Sequence, residues 1–165
     1  MKCMNLWKYY NNKSNQLKYP DLNNHSHEKE IAKATPKWAF EYVSKHGKDE
    51  DLEPAIAKNA EYSFWYADEI LNGPFKLGEL QIAKNPYYSY RYAKIILKDK
   101  FSLGEPAIAK DSYYSYAYAK NILEAPFKLG EPEIAKDDTY LKRYTQEVLK
   151  KDFYLDGKLI CKYEG

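Results

Sequence analysis

The side chains whose types could do chemistry are His25-Ser-His27, the distant His46, and one glutamate in every 26 residues at Glu53, Glu79, Glu105 and Glu131. Two histidines two apart could touch a metal, but no Asp, Glu or Cys set at ligand spacing accompanies them, so they read as polar-loop histidines. The glutamates look like catalytic carboxylates only one at a time. Each stands at an expected helix start, where the dipole favours negative charge, and that structural role explains it. Neither a glycine-rich phosphate loop nor a nucleophile elbow is present. Cys3 and Cys161 sit at opposite ends of the chain with no partner spacing, which argues against a disulfide framework or a zinc site. Cys161 falls where other repeats carry alanine, so it reads as buried rather than reactive. No enzymatic activity, metal or cofactor is expected.

Phenol chemistry is the larger signal. The stretch "IAKDSYYSYAYAKNIL", residues 108–123, holds Tyr113, Tyr114, Tyr116 and Tyr118. Such aromatics could stack on nucleic-acid bases, pack a core or anchor a protein partner. Charge weighs against the first use: the net charge is only +2, and of 26 basic residues only Arg91 and Arg143 are arginine, the residue suited to bidentate phosphate or guanine recognition. No segment approaches the length of apolar chain needed to span a bilayer, so no membrane partner is expected and the cytoplasm is the expected location.

The elements that position these residues come from internal repetition. Ile-Ala-Lys recurs from Ile31, Ile56, Ile82, Ile108 and Ile134, at spacings of 25, 26, 26 and 26. An aromatic cluster follows each copy, and Phe75, Phe101 and Phe127 open the same Phe-x-Leu-Gly-Glu loop. Proline after Glu105 suits the first turn of a short helix, over about 106–110. Asn59, Asn85 and Asp111 are N-caps for a longer second helix, over about 86–98 in the third copy. Gly78, Gly104 and Gly130 read as flexible corners into the next copy.

Tyrosine alternation mimics a strand, but projection at 100° per residue favours a helix. It puts Ser89, Tyr90, Ala93, Ile96 and Leu97 on one buried face, with Tyr88 and Tyr92 on its flank. Most tyrosines are thereby assigned to packing between stacked repeats. The expected fold is all-α: an α-solenoid of about five short helix-pair repeats plus a truncated sixth. Residues 1–27 form an N-terminal cap or mobile segment, 28–153 the repeat array and 154–165 a capping segment. At the C-terminus, Asp156-Gly157 is a hairpin signal. Register favours a sixth short helix instead, because Ile160-Cys161-Lys162 matches Ile134-Ala135-Lys136.

Through "GEPAIAKD" and "YYSYAYAKNIL", within residues 104–123, and their copies, the chain resembles the short helical repeats with an E-P-x-I-A-K-x-P-x-Y-x-Y-x-Y-A-x-x-I-L pattern found in tailed-phage and bacterial proteins. The resemblance covers about residues 30–153. It implies repeat architecture, and a phage-type host-takeover or anti-defence inhibitor whose partner is a host protein.

Function is sought where the repeats differ on the outward face, since the repeated positions are explained by packing. Trp65, Tyr87, Arg91, Lys94 and Tyr113 are the candidate partner-binding residues, of types enriched in hot spots. A local cation–π pair of Trp65 with Arg91 is the bland alternative. A nucleic-acid-binding solenoid using Tyr87, Tyr113, Lys94, Lys98 and Lys120 is the less favoured alternative to protein binding.

Overall fold

The computed structural model describes residues 25–165, with side chains from residue 28 onward. The chain is mostly helical. In order, the helices are α1 (His25–Ala32), α2 (Pro36–His46), α3 (Glu53–Ile56), α4 (Ala60–Trp65), α5 (Glu79–Ile82), α6 (Pro86–Arg91), α7 (Glu105–Ile108), α8 (Ser112–Tyr118), α9 (Glu131–Ile134) and α10 (Asp138–Arg143). Strands β1 (Phe153–Leu155) and β2 (Lys158–Cys161) close the chain. Two compact units divide it, one ending at Gly78 and the other beginning at Glu79. The expected N-terminal cap, residues 1–27, falls outside the described residues except for the first turn of α1.

The expected helix starts form as local chemistry dictates. Asn59 accepts from the Glu61 and Tyr62 N–H groups, Asn85 from Tyr88, and Asp111 from Tyr114. In each case a donor left without an intrahelical partner is satisfied. Within each unit, a short helix packs on the preceding long one: α3 on α2 in the first, α7 on α6 and α9 on α8 in the second. Long helices also lie side by side, α2 with α4, and α8 between α6 and α10.

The long helices do not stay α-helical. After α4, α6, α8 and α10 the chain continues as π-helix over Tyr66–Leu71, Tyr92–Leu97, Ala119–Leu123 and Tyr144–Leu149. The wider turn, with its i to i+5 bonding, rotates the phase of everything beyond it. Tyr92, expected on the flank, is fully buried, with its ring against Phe101 and its hydroxyl on Glu79, while Ile96 and Leu97, beyond the widening, are only half-buried. Projection at a constant 100° placed them otherwise because it carried no extra residue per turn.

Each π segment ends on a left-handed residue: Asn72, Lys98, Glu124 and Lys150 have φ between 48° and 52°. Left-handed backbone crowds the Cβ of any non-glycine residue. Replacing Glu124 with glycine is expected to stabilise the fold by about 0.5–1 kcal/mol, net of the backbone freedom glycine gains when unfolded. Thermal melting checks it, and a lower midpoint in the variant would show that the Glu124 side chain contributes more than the strain costs.

Glycine at the corners has a different purpose from the one expected. Gly104 and Gly130 have φ of −88° and −90°, open to any residue. What needs glycine is close approach: a Cβ on Gly104 would lie 2.5 Å from Phe101 Cδ1 and 2.7 Å from Ser89 Cβ. Gly130 meets Phe127 and Ser115 in the same way, and Gly78 meets Phe75 and Ser63. The serines are fully buried, and each hydroxyl donates to a carbonyl seven residues back: Ser63 to Ile56, Ser89 to Ile82 and Ser115 to Ile108. In the last copy Leu141 replaces serine. The Phe-x-Leu-Gly loop is not repeated there, since the chain after Phe153 turns into the hairpin, and Leu141 is 8 % exposed.

A recurring ring pair joins each long helix to the loop after it: Tyr66 with Phe75 at 4.8 Å, Tyr92 with Phe101 at 5.1 Å, and Tyr118 with Phe127 at 5.2 Å. Tyr144 with Phe153, at 5.9 Å, continues the series. The sixth copy is thus in register as far as Phe153, which is 1 % exposed. It then departs, and the truncated sixth helical unit is replaced by a β-hairpin. Tyr154 faces Leu159 and Leu155 faces Lys158, with a register irregularity between Phe153 and Tyr154. Asp156 and Gly157 have φ of 49° and 77°, the two left-handed residues a type I′ turn requires. Without the Glu-Pro start there was no competing helix nucleus to override that turn.

Candidate functional site

The repeated glutamates are explained by buried hydroxyls. Tyr66, Tyr92, Tyr118 and Tyr144 are fully buried, and each donates its hydroxyl hydrogen to the glutamate thirteen residues back: Glu53 at 2.8 Å, Glu79 at 3.0 Å, Glu105 at 3.0 Å and Glu131 at 2.9 Å. The Tyr118 and Tyr144 oxygens also accept from the Phe101 and Phe127 N–H groups, at 2.8 and 3.0 Å. The polar handle of a buried phenol is thereby used on both sides. Each glutamate is a structural acceptor, a role that helix-start position alone could not reveal. Among the described residues no group of three or more His, Cys, Asp or Glu could hold a metal. The expected His25 and His27 side chains lie outside the described residues, while His46 stacks on Tyr42 with centroids 4.5 Å apart and faces Glu28 at 3.4 Å.

Burial raises the ionisation of the Tyr66, Tyr118 and Tyr144 phenols far above the usual tyrosine range, and the adjacent carboxylate acts in the same direction. The folded state holds these protons more tightly than the unfolded chain. Their contribution is therefore complete below the unfolded tyrosine value, about 10, and is lost as the pH rises above it. Melting midpoints recorded from neutral to strongly alkaline pH are expected to be flat until about pH 10 and then to fall steeply. Absorbance at the phenolate band should show these tyrosines titrating only with unfolding. A midpoint that does not fall would contradict their burial.

Of the candidate binding residues, Trp65 belongs to the first unit. It is half-buried, and its ring packs edge-on against Phe64 at 5.2 Å. Tyr87, Arg91, Lys94 and Tyr113 belong to the second unit, where they come together. Tyr87 and Tyr113 are 40 % and 43 % exposed. They are joined through residues outside the candidate binding set: Tyr88 lies 4.8 Å from Tyr87, Tyr114 lies 6.1 Å from Tyr87 and 4.9 Å from Tyr113, and Tyr140 lies 5.5 Å from Tyr113. The result is one ladder, Tyr88, Tyr87, Tyr114, Tyr113 and Tyr140, that crosses α6, α8 and α10. Tyr114 contacts Tyr90 at 5.8 Å, and Tyr140 stacks on Tyr116 at 5.9 Å. The signal for Tyr88 and Tyr114 was the doubled Tyr-Tyr in consecutive copies, but adjacency of rings from different helices depends on how the helices pack.

The polar groups beside the ladder fix its geometry. Arg91 donates to the Tyr87 hydroxyl at 2.9 Å and lies 5.4 Å from that ring's centroid. Lys94 lies over Tyr90 and Lys120 over Tyr116, at 5.7 and 5.8 Å. Two bonds tie successive copies at the same separation of 31 residues: Asn121 donates to the Tyr90 hydroxyl at 3.0 Å, and the Tyr116 hydroxyl donates to Glu147 at 2.6 Å. Lys120 also pairs with Glu147; this contact and the Tyr116 hydroxyl hold the carboxylate below its ordinary range, while Glu147 raises Lys120. Ala117, which stands one copy on from Arg91, is buried at 3 % exposure.

No described helix is long and apolar enough to cross a membrane. Comparison with family models, curated proteins and solved structures found no match for this chain.

Proposed function

We propose that this chain is a non-enzymatic helical-repeat binding protein, an α-solenoid that docks a protein partner on the tyrosine ladder of its second unit. The observation that carries this reading is the continuity of half-exposed tyrosine rings across three successive helices, flanked by Arg91 and Lys94. Tyrosine and arginine deliver the most binding free energy when a partner excludes water around them, and stacked repeats offer such residues as an extended surface. The ladder is preorganised, since each ring already contacts another ring, so little side-chain entropy is lost on docking. In this reading the protein acts in the cytoplasm by covering its partner's surface, as a phage-type host-takeover or anti-defence inhibitor would.

A nucleic-acid partner is less well served. Arg91 is engaged by Tyr87, and Lys120 is engaged by Glu147, which leaves few of the forks and open ring faces that base recognition uses. Immobilised protein is expected to retain a partner from a lysate of its native host, and the Tyr87→Ala/Tyr113→Ala double variant to lose it while keeping its helical circular dichroism. Equal retention by the variant, or loss of retention after nuclease treatment, would defeat the proposal.

A further inference from the structure

Asn72-Gly73 is the chain's single Asn-Gly pair, and it falls on the left-handed corner that ends the π segment after α4. Asparagine before glycine is the pair that loses its side-chain amide most readily, because no Cβ shields the glycine nitrogen as it closes a five-membered imide on the asparagine Cγ. At the matching corners of the other copies stand Lys98-Asp99, Glu124-Ala125 and Lys150-Lys151. None of those corner residues can close that ring.

The fold sets when the reaction can run. Asn72 is exposed, and Gly73 lines an open cleft with Lys48, Leu71 and Phe75, so water reaches both. The Gly73 N–H, however, donates to the Ala67 carbonyl at 3.0 Å, and the Asn72 N–H donates to the same oxygen. These bonds satisfy a carbonyl at the helix end. The holding bond recurs in the second unit, from Asp99 to Ala93 at 3.3 Å and from Ala125 to Ala119 at 3.2 Å, so it belongs to the repeat and not to this pair. Ring closure requires the Gly73 nitrogen to lose its proton and turn toward the Asn72 side chain. Both are blocked while Ala67 holds it, and local opening of the corner releases both.

We propose that Asn72 is a deamidation site gated by this corner, so that the modification records each opening irreversibly. The deprotonated Gly73 nitrogen bonds to the Asn72 Cγ, the bond from Cγ to Nδ2 breaks, and ammonia leaves with the proton the backbone gave up. One water then opens the imide at either of its carbonyls, leaving aspartate or isoaspartate. Isoaspartate routes the main chain through the former side chain, one carbon longer, so the two bonds to Ala67 cannot re-form and the loop that seats Phe75 against Tyr66 is loosened.

The test holds the full chain at mildly alkaline pH, native and in denaturing urea, and follows aspartate and isoaspartate at Asn72 by peptide mass mapping. The denatured chain is expected to convert at least about tenfold faster than the native one, and the native Gly73 amide hydrogen to exchange slowly. Gly73→Ala, whose added Cβ meets the Leu71 oxygen at an ordinary 3.8 Å, should convert more slowly in urea because that Cβ hinders ring closure. Chain aged in urea and returned to buffer should melt below chain exposed only briefly. Equal rates in native and denatured chain, a Gly73 amide exchanging as in a free peptide, Asn72 intact after denaturation, an unslowed Gly73→Ala, or aged chain that melts with fresh would each overturn the inference.

Discussion

Substituting Gly104 with alanine is expected to lower the melting temperature markedly. The new methyl carbon would stand 2.5 Å from Phe101 Cδ1, 2.7 Å from Ser89 Cβ and 2.8 Å from Ser89 Oγ. Neither neighbour can give way easily: Phe101 is 4 % exposed, and Ser89 is fully buried with its hydroxyl bonded to the Ile82 carbonyl at 2.9 Å. Overpacking of this kind costs about 1–3 kcal/mol, and more where backbone must shift. For a chain of this size each kcal/mol corresponds to about 2–4 °C in the midpoint. The companion variant Ser89→Gly/Gly104→Ala removes the facing Cβ and should recover part of the loss, which a clash mechanism requires and a backbone-flexibility mechanism does not. An unchanged midpoint for Gly104→Ala would mean that the corner is not a close approach.

At Tyr118, two substitutions separate the hydroxyl from the ring. Tyr118→Phe keeps the packing against Phe127 but removes the acceptor of the Phe101 N–H and the donor to Glu105. Leaving buried polar groups unpaired costs about 1–3 kcal/mol. Tyr118→Ala also deletes the ring and leaves a cavity, for about 3–5 kcal/mol. Urea unfolding at neutral pH checks both, with the order wild type, phenylalanine, alanine expected for the midpoint. A phenylalanine variant as stable as wild type would show that water replaces the hydroxyl, and that the tyrosine–glutamate bond is incidental to the repeat. The same substitution should also remove one of the buried phenols that drive alkaline unfolding, so Tyr118→Phe is expected to be relatively less affected by raised pH.

What the sequence by itself determined is local. The Asn and Asp caps, the proline starts and the two-helix content of each copy follow from interactions between residues at most four apart, and the structure has them where the pattern put them. The outward positions Tyr87, Arg91, Lys94 and Tyr113 could be read in the same way. Tertiary structure decided the rest. Tyr92 changed from flank to core because Phe101 and Glu79, nine and thirteen residues away, receive its ring and its hydroxyl. The glutamates acquired their role from tyrosines thirteen residues away, and Tyr90 and Tyr116 are tied to groups 31 residues on. Gly104 is glycine because of Ser89, fifteen positions earlier, not because of its own backbone angles. At the C-terminus two local signals competed, and the Asp156-Gly157 turn prevailed over repeat register once Phe153 had been anchored against Tyr144. The ladder itself combines both levels: its tyrosines were visible in the sequence, but which rings meet depends on the side-by-side packing of helices whose residues are 26 apart in the chain.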